Sequence, residues 1–213
     1  MIRQNKWKLL ITSLIILLPV AAGLILWSRL PEKMPTHWGL EGTVDGWSGK
    51  AFTVLGIPAF LLAMHWLCVA ITAADPKNKG QTKKIVGLIL WLCPLISVAL
   101  GVMTYATALG AEVRVGWVAP LALGAMFVVI GNYLPKCKQN FTIGIKVPWT
   151  MADEANWNAT HRFGGKVWMA GGVLLMACAF LPTAAVPYAL VGALILLSII
   201  PVIYSYIYYR RYQ

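Results

Sequence analysis

Residues 131–166, GNYLPKCKQNFTIGIKVPWTMADEANWNATHRFGGK, form a polar, cation-rich island between segments almost free of charge. Flanked by long apolar runs, such a stretch has to lie outside a bilayer. Lys136, Lys138, Lys146, Arg162 and Lys166 stand there against only Asp153 and Glu154. Membrane proteins present a surplus of this kind to the cytoplasm. The island therefore indicates the class of the protein and gives its topology a reference side.

The rest of the chain agrees with that class. Of 213 residues, 59% are hydrophobic and 12% charged, too little polar surface to cover a soluble globule. A run of about 20 apolar residues crosses a hydrocarbon core of roughly 30 Å as a helix. Six such runs are read, at residues 9–30, 51–74, 85–109, 115–134, 167–181 and 186–209. The expected fold is an all-α integral membrane protein, a bundle of about six transmembrane helices with an amphipathic interfacial helix in the cytoplasmic loop.

Counting cations orients the bundle. With the N-terminus inside, the cytoplasmic side takes Arg3, Lys6, Lys8, Lys77, Lys79, Lys83, Lys84, the five of the island, Arg210 and Arg211. The other side keeps Arg29, Lys33, Lys50 and Arg114. Fourteen cations against four predict both termini in the cytoplasm. The net charge of +11 then reads as topology, and no direct nucleic-acid binding is expected. The N-terminus has the charged start of a secretory signal, but its apolar run continues through Leu24, Ile25, Leu26 and Trp27. That is too long for a signal core, so an uncleaved first span is expected.

Chemistry-bearing motifs are sparse. The chain has no HExxH, GxSxG or Walker-type sequence and no clustered Cys/His ligands, so neither catalysis, a metal nor a cofactor is expected. Cys68, Cys93, Cys137 and Cys178 are too far apart for a metal or redox motif and read as packing residues. Pro19, Pro58, Pro94, Pro120 and Pro201 fall in or at the ends of apolar runs, where neighbouring groups satisfy freed carbonyls. Gly164, Gly165, Gly171 and Gly172 recur at seven-residue spacing, as do Ala185, Ala189 and Ala193 at four, which suits close helix contact. His65 is the clear intramembrane ionisable group. It reads as a neutral imidazole bonded to a neighbouring helix, with a proton relay or ligand site as alternatives.

Two loops carry organisation. Residues 31–50, outside by the charge count, contain His37, Asp45, two prolines and several glycines and read as a folded, turn-rich loop. In the island, Pro148 disfavours helix at Val147 and Thr150 reads as the opening of a new one, with Asp153 and Glu154 in its first turn. Residues 151–163 read as an amphipathic helix lying in the interface, with Ala155, Trp157 and Phe163 toward lipid.

These residues resemble a known family. Gly131-Asn132-Tyr133, Pro135-Lys136, Asn140, Ile143-Gly144-Ile145-Lys146, Pro148-Trp149-Thr150, Glu154, Trp157, His161-Arg162 and Gly165-Lys166 are similar to the signature of SdpI-type membrane proteins. Leu30-Pro31, Met34-Pro35, His37-Trp38, Gly42, Asp45, Trp47 and Lys50 resemble the DUF1648 module that often accompanies it. This implies a DUF1648-like module at residues 1–74 with loop 31–50, and an SdpI-like module at 75–213 with cytoplasmic loop 135–166.

The resemblance implies a bacterial immunity protein in the cytoplasmic membrane, resisting a secreted membrane-active peptide toxin. A signalling role that holds a transcriptional repressor at the membrane is implied too. The expected partners are a peptide toxin on the extracellular side, a cytoplasmic repressor and membrane lipids. His37, Asp45 and Lys50 are the expected determinants of the outer loop. Asn132, Pro135, Asn140, Gly144, Lys146, Pro148, Trp149, Thr150, Glu154, Trp157 and Arg162 would shape the inner site. A small-solute or ion transporter using His65 is the alternative, and a lipid-binding scaffold a third.

Overall fold

The computed structural model describes residues 1–212, apart from the side chains at positions 79, 80 and 83. The Lys79 and Lys83 side chains in the charge count thus lie outside the described residues. The backbone forms α1 (Lys6–Ile16), α2 (Leu18–Ile25), β1 (Lys33–Trp38), β2 (Val44–Gly49), a π-turn (Phe52–Gly56), α3 (Ile57–Ala74), α4 (Lys83–Ala108), α5 (Val115–Tyr133), α6 (Pro148–Ala152), α7 (Glu154–Ala177) and α8 (Val186–Tyr212). Six stretches are helical, long and apolar enough to cross a membrane, and the protein is a multi-pass membrane protein. Two compact units are distinguished: residues 1–74 with 86–115, and residues 75–85 with 116–213.

In the first unit the opening span is broken at Leu17, between α1 and α2. Pro19 has no N–H for the Ile15 carbonyl, so the helix cannot continue unmodified. Side chains from α4 occupy the exposed carbonyls: Ser97 Oγ donates to Ile16 (2.8 Å) and the Tyr105 hydroxyl to Pro19 (2.7 Å). Leu30, Met34, Val54 and Tyr105 form one buried cluster, and Leu9, Val69 and Leu90 another. The loop expected at 31–50 is an antiparallel hairpin, with Lys33 opposite Gly49 and Met34 opposite Ser48. Pro31 and Pro35 hid it in the sequence, because proline inside a strand removes a donor and argues against ladder pairing.

In the second unit glycines bring backbones together. A Cβ built at Gly172 would stand 2.6 Å from the Gly124 carbonyl, and one at Gly165 2.7 Å from that of Gly131. The seven-residue glycine spacing of α7 is thus matched on α5. Gly164 and Gly171 turn to other neighbours, among them Pro201 and Leu197 of α8. Replacing Gly172 by valine is expected to force the helices apart at about 1–3 kcal/mol. Purified protein should melt several degrees lower, whereas Gly192→Val, where a Cβ meets nothing within 4 Å, should leave the melting point unchanged.

One boundary differs from expectation. The fifth span begins at Glu154, because residues 154–166 are continuous with the apolar helix up to Ala177. A separate amphipathic helix over 151–163 is not seen, and Trp157, expected toward lipid, is fully buried. Nor does Thr150 open a helix. Pro148 is the first residue of α6, and Asp153 caps α7 by accepting from the N–H groups of Ala155 and Asn156.

Candidate functional site

The polar island condenses on two short side chains. Asn140 is fully buried; its Oδ1 accepts from the N–H groups of Thr142 (2.8 Å) and Ile143 (2.7 Å), and its Nδ2 donates to the carbonyls of Lys138 and Ile143. An amide is suited to this turn because it supplies donors and acceptors together. Asp75 holds the same loop from residues 75–85. Its Oδ2 accepts from the Phe141 N–H and the Thr142 hydroxyl, both at 2.8 Å, and its Oδ1 from the Lys77 N–H at 2.9 Å. Burial pushes the Asp75 carboxyl up, but the Thr142 hydroxyl and the Phe141 and Lys77 amides together outweigh it and leave its pKa below the ordinary carboxylate value.

Above this turn lies an aromatic core. Trp157 and His161 stack, with ring centroids 4.0 Å apart. Trp157 Nε1 donates to the Cys137 carbonyl at 2.8 Å. His161 Nε2 accepts the Ile145 N–H at 3.0 Å, and its Nδ1 lies 2.8 Å from the Trp157 carbonyl. That arrangement places the proton on Nδ1 and requires a neutral ring. Gly144 sits against both rings with φ +119°; a Cβ there would clash with His161 and approach Trp157 at 2.8 Å. Glycine is demanded twice, by backbone conformation and by space. Burial pushes the Cys137 thiol up to about 11, so it is an inert packing group.

The island also docks onto α8. Trp149 Nε1 donates to Ser205 Oγ at 2.6 Å, and its ring packs against Tyr206 and Tyr209. Asn156 Nδ2 donates to the Ser205 carbonyl. Thr150, fully buried, accepts the Val147 N–H, and Gln139 Nε2 donates to the carbonyls of Thr150 and Met151.

The structure brings together Asn140, Gly144, Trp149, Thr150 and Trp157. Pro135 lies beside Gly165, Pro148 opens α6, and Lys146 Nζ donates to the carbonyls of Phe141 and Thr142. Asn132, Glu154 and Arg162 are exposed and take no part in this network. Sequence reasoning missed Asp75, Gln139, His161 and Ser205 as site members. Asp75 carried a local signal, as an Asp before Pro76 at the end of an apolar run, and His161 stood in the family signature, whereas Gln139 and Ser205 carried none. The partners of Asp75 lie 66 and 67 residues away.

In the first unit, His37 Nδ1 and Asp45 Oδ1 are paired across the hairpin, and both side chains are exposed. Lys50 is buried: its Nζ pairs with Glu32 at 2.8 Å, donates to the Trp27 carbonyl and lies over the Trp27 ring. It fastens the hairpin base, leaving His37 and Asp45 as the accessible pair. Deeper in, His65 Nε2 and Thr12 Oγ1 are 3.2 Å apart, while His65 Nδ1 is buried with no partner among the described residues. A small crevice lies at the helix break, lined by Pro19, Thr53, Ser97, Gly101, Thr104 and Tyr105 among others.

Asp75 and Asp153 are occupied as backbone acceptors, while Lys136, Lys138, Lys146, Arg162 and Lys166 are exposed. No group of three or more metal-ligating side chains occurs among the described residues.

Residues 136–205 match the SdpI/YfhL protein family, a range that contains both Asn140 and Ser205. Residues 14–62 match a domain of unknown function, DUF1648, and contain the hairpin. The chain is 26% identical over 204 residues to "Immunity protein SdpI" of Bacillus subtilis (strain 168), covering 96% of this chain and 97% of that protein. No solved structure matches it.

Proposed function

Since this chain is a member of the SdpI/YfhL family with a DUF1648 module, we propose that it is a bacterial immunity protein conferring resistance to a secreted membrane-active peptide toxin. The full-length similarity to an immunity protein carries this reading. Both termini and the 137–153 loop face the cytoplasm of the cytoplasmic membrane, and the hairpin faces outward, as the cation distribution favours. In this arrangement residues 1–74 meet the toxin through His37 and Asp45, with Lys50 holding their hairpin. Residues 75–213 report occupancy at the inner face, where the first turns of α7 meet the interface.

The exposed cations of the inner face suit an acidic partner, either anionic lipid or a transcriptional repressor held at the membrane. Toxin shifts the inner loop only as far as it prefers one arrangement over the other. The well-packed Trp157 core makes the loop a unit that moves as a body. Arg162 is exposed and acts on the partner, while Trp149 positions the loop on α8.

Membrane potential and survival of a toxin-sensitive bacterium expressing the chain, challenged with a secreted membrane-active peptide toxin, test the reading. Protection is expected. Arg162→Ala should leave abundance and melting unchanged but lose signalling, because an exposed side chain contributes little to stability. Full protection and signalling in both Arg162→Ala and Trp149→Ala would overturn the assignment of the inner site. The unpartnered Nδ1 of His65 beside a broken span favours, as a second reading, a solute or ion path. Flux into liposomes that His65→Ala abolishes would establish it.

A further inference from the structure

The hairpin contains two strands only, so each has a free edge, and the register decides what that edge offers. The Lys50 N–H donates to the Glu32 carbonyl at 2.9 Å, which makes Glu32/Lys50 a hydrogen-bonded pair. Antiparallel pairs alternate. Met34/Ser48 is therefore hydrogen-bonded, while Lys33/Gly49 and Pro35/Trp47 are pairs whose N–H and C=O groups point outward.

The two edges are not equivalent. On β1 the outward positions are Lys33 and Pro35, a cation and a residue without N–H, the devices that keep a strand from pairing further. On β2 the outward groups are the N–H and C=O of Trp47 and the N–H of Gly49; the Gly49 carbonyl is taken by Thr53 Oγ1. By this alternation none of these three is turned toward β1. A Cβ built on Gly49 meets nothing within 4 Å, so the sheet face beside this edge is open as well. Trp47 is 56% exposed beside this edge.

We propose that β2 is the docking edge for an extended peptide segment, which adds to the hairpin as a third strand. This rests on the immunity reading and gives its ligand a binding mode. A row of alternating donors and acceptors along a strand is matched by another extended backbone. The charge on this side sets the preference: residues 39–49 contain Glu41 and Asp45 and no Lys or Arg, so the segment carries cations opposite them. A second copy of β2 would instead add acids to acids. Trp47 gives the incoming strand an apolar side-chain neighbour.

The test uses the full chain in lipid nanodiscs with a purified membrane-active peptide toxin that carries cations. Amide hydrogen exchange is followed at single residues, and binding is measured separately by peptide fluorescence. Binding should slow exchange at Trp47 and Gly49 by about tenfold, the effect of one new hydrogen bond, while Met34 and Ser48, already in the ladder, change little. In cells Trp47→Pro, which removes an outward N–H but no ladder bond, should abolish protection at equal abundance. Trp47→Ala, which keeps the N–H, should retain part of it. Binding with unchanged exchange at Trp47 and Gly49 would overturn strand addition and leave the immunity reading standing. Absence of both binding and protection would overturn both. Slowed exchange without peptide, growing with protein concentration, would assign the edge to a second copy and overturn the proposal.

Discussion

Trp157→Ala is expected to unfold the 137–147 loop and to lower the stability of purified protein by about 3–5 kcal/mol, the range for emptying a buried aromatic site. Three contacts go together: the stack on His161, the hydrogen bond to the Cys137 carbonyl and the wall against Gly144. A thiol reagent reads the outcome directly. In a background with Cys68, Cys93 and Cys178 replaced by serine, Cys137 should be unreactive in the parent, being buried with its pKa pushed up to about 11. It should become reactive in Trp157→Ala. Trp157→Phe keeps an aromatic ring against His161 but loses the Nε1 hydrogen bond and part of the indole's volume, so it should cost about 1–3 kcal/mol, less than the alanine variant, and leave the thiol protected. A protected thiol in the alanine variant would show that the loop is held from elsewhere.

The second large effect is expected at Asp75. Asp75→Ala strands the Phe141 and Lys77 N–H groups and the Thr142 hydroxyl. With hydrogen bonds to an ionised acceptor worth about 1.5–3 kcal/mol each, and water replacing part of that, the loss should be about 2 kcal/mol or more. Faster amide exchange at Phe141 and Thr142 measures it, and unchanged exchange there would dismiss the clamp. Acid acts on the same group. The folded pKa of Asp75 lies below the unfolded value, so its contribution is fully present above about pH 3.9 and is lost as pH falls further through the folded pKa. Loop protection should therefore be flat across neutral pH and fail only in strong acid.

The membrane-spanning character was legible because hydropathy acts over about 20 consecutive residues and needs no partner. The glycine spacing of α7 was legible too, since a seven-residue repeat returns to one helix face. The start of α7 was not. Residues 154–163 look polar enough to leave the helix bundle, yet Asn156, Thr160 and His161 are buried with their hydrogen bonds made inside the protein. A buried polar residue with a satisfied partner looks, in sequence, like an exposed one. The hairpin was hidden by its own edge protection, because Pro35 occupies an outward position that costs the ladder nothing.

Sequence by itself determined the number of apolar helices and the polar island between the fourth and fifth. It also determined the family signature and the glycines that permit close helix contact. These are properties of composition and local spacing. Tertiary structure alone decided that Asp75 and Asn140 organise the island, that Trp157 is its core rather than a lipid anchor, and that β2 carries the open edge. For Asp75 and Trp157 this depends on groups brought within about 3 Å across 20 to 67 residues, and for Asn140 and β2 on the turn and register that the folded chain takes up. A hydrogen bond is set by distance and direction between two groups, and neither is written in the residues that lie between them.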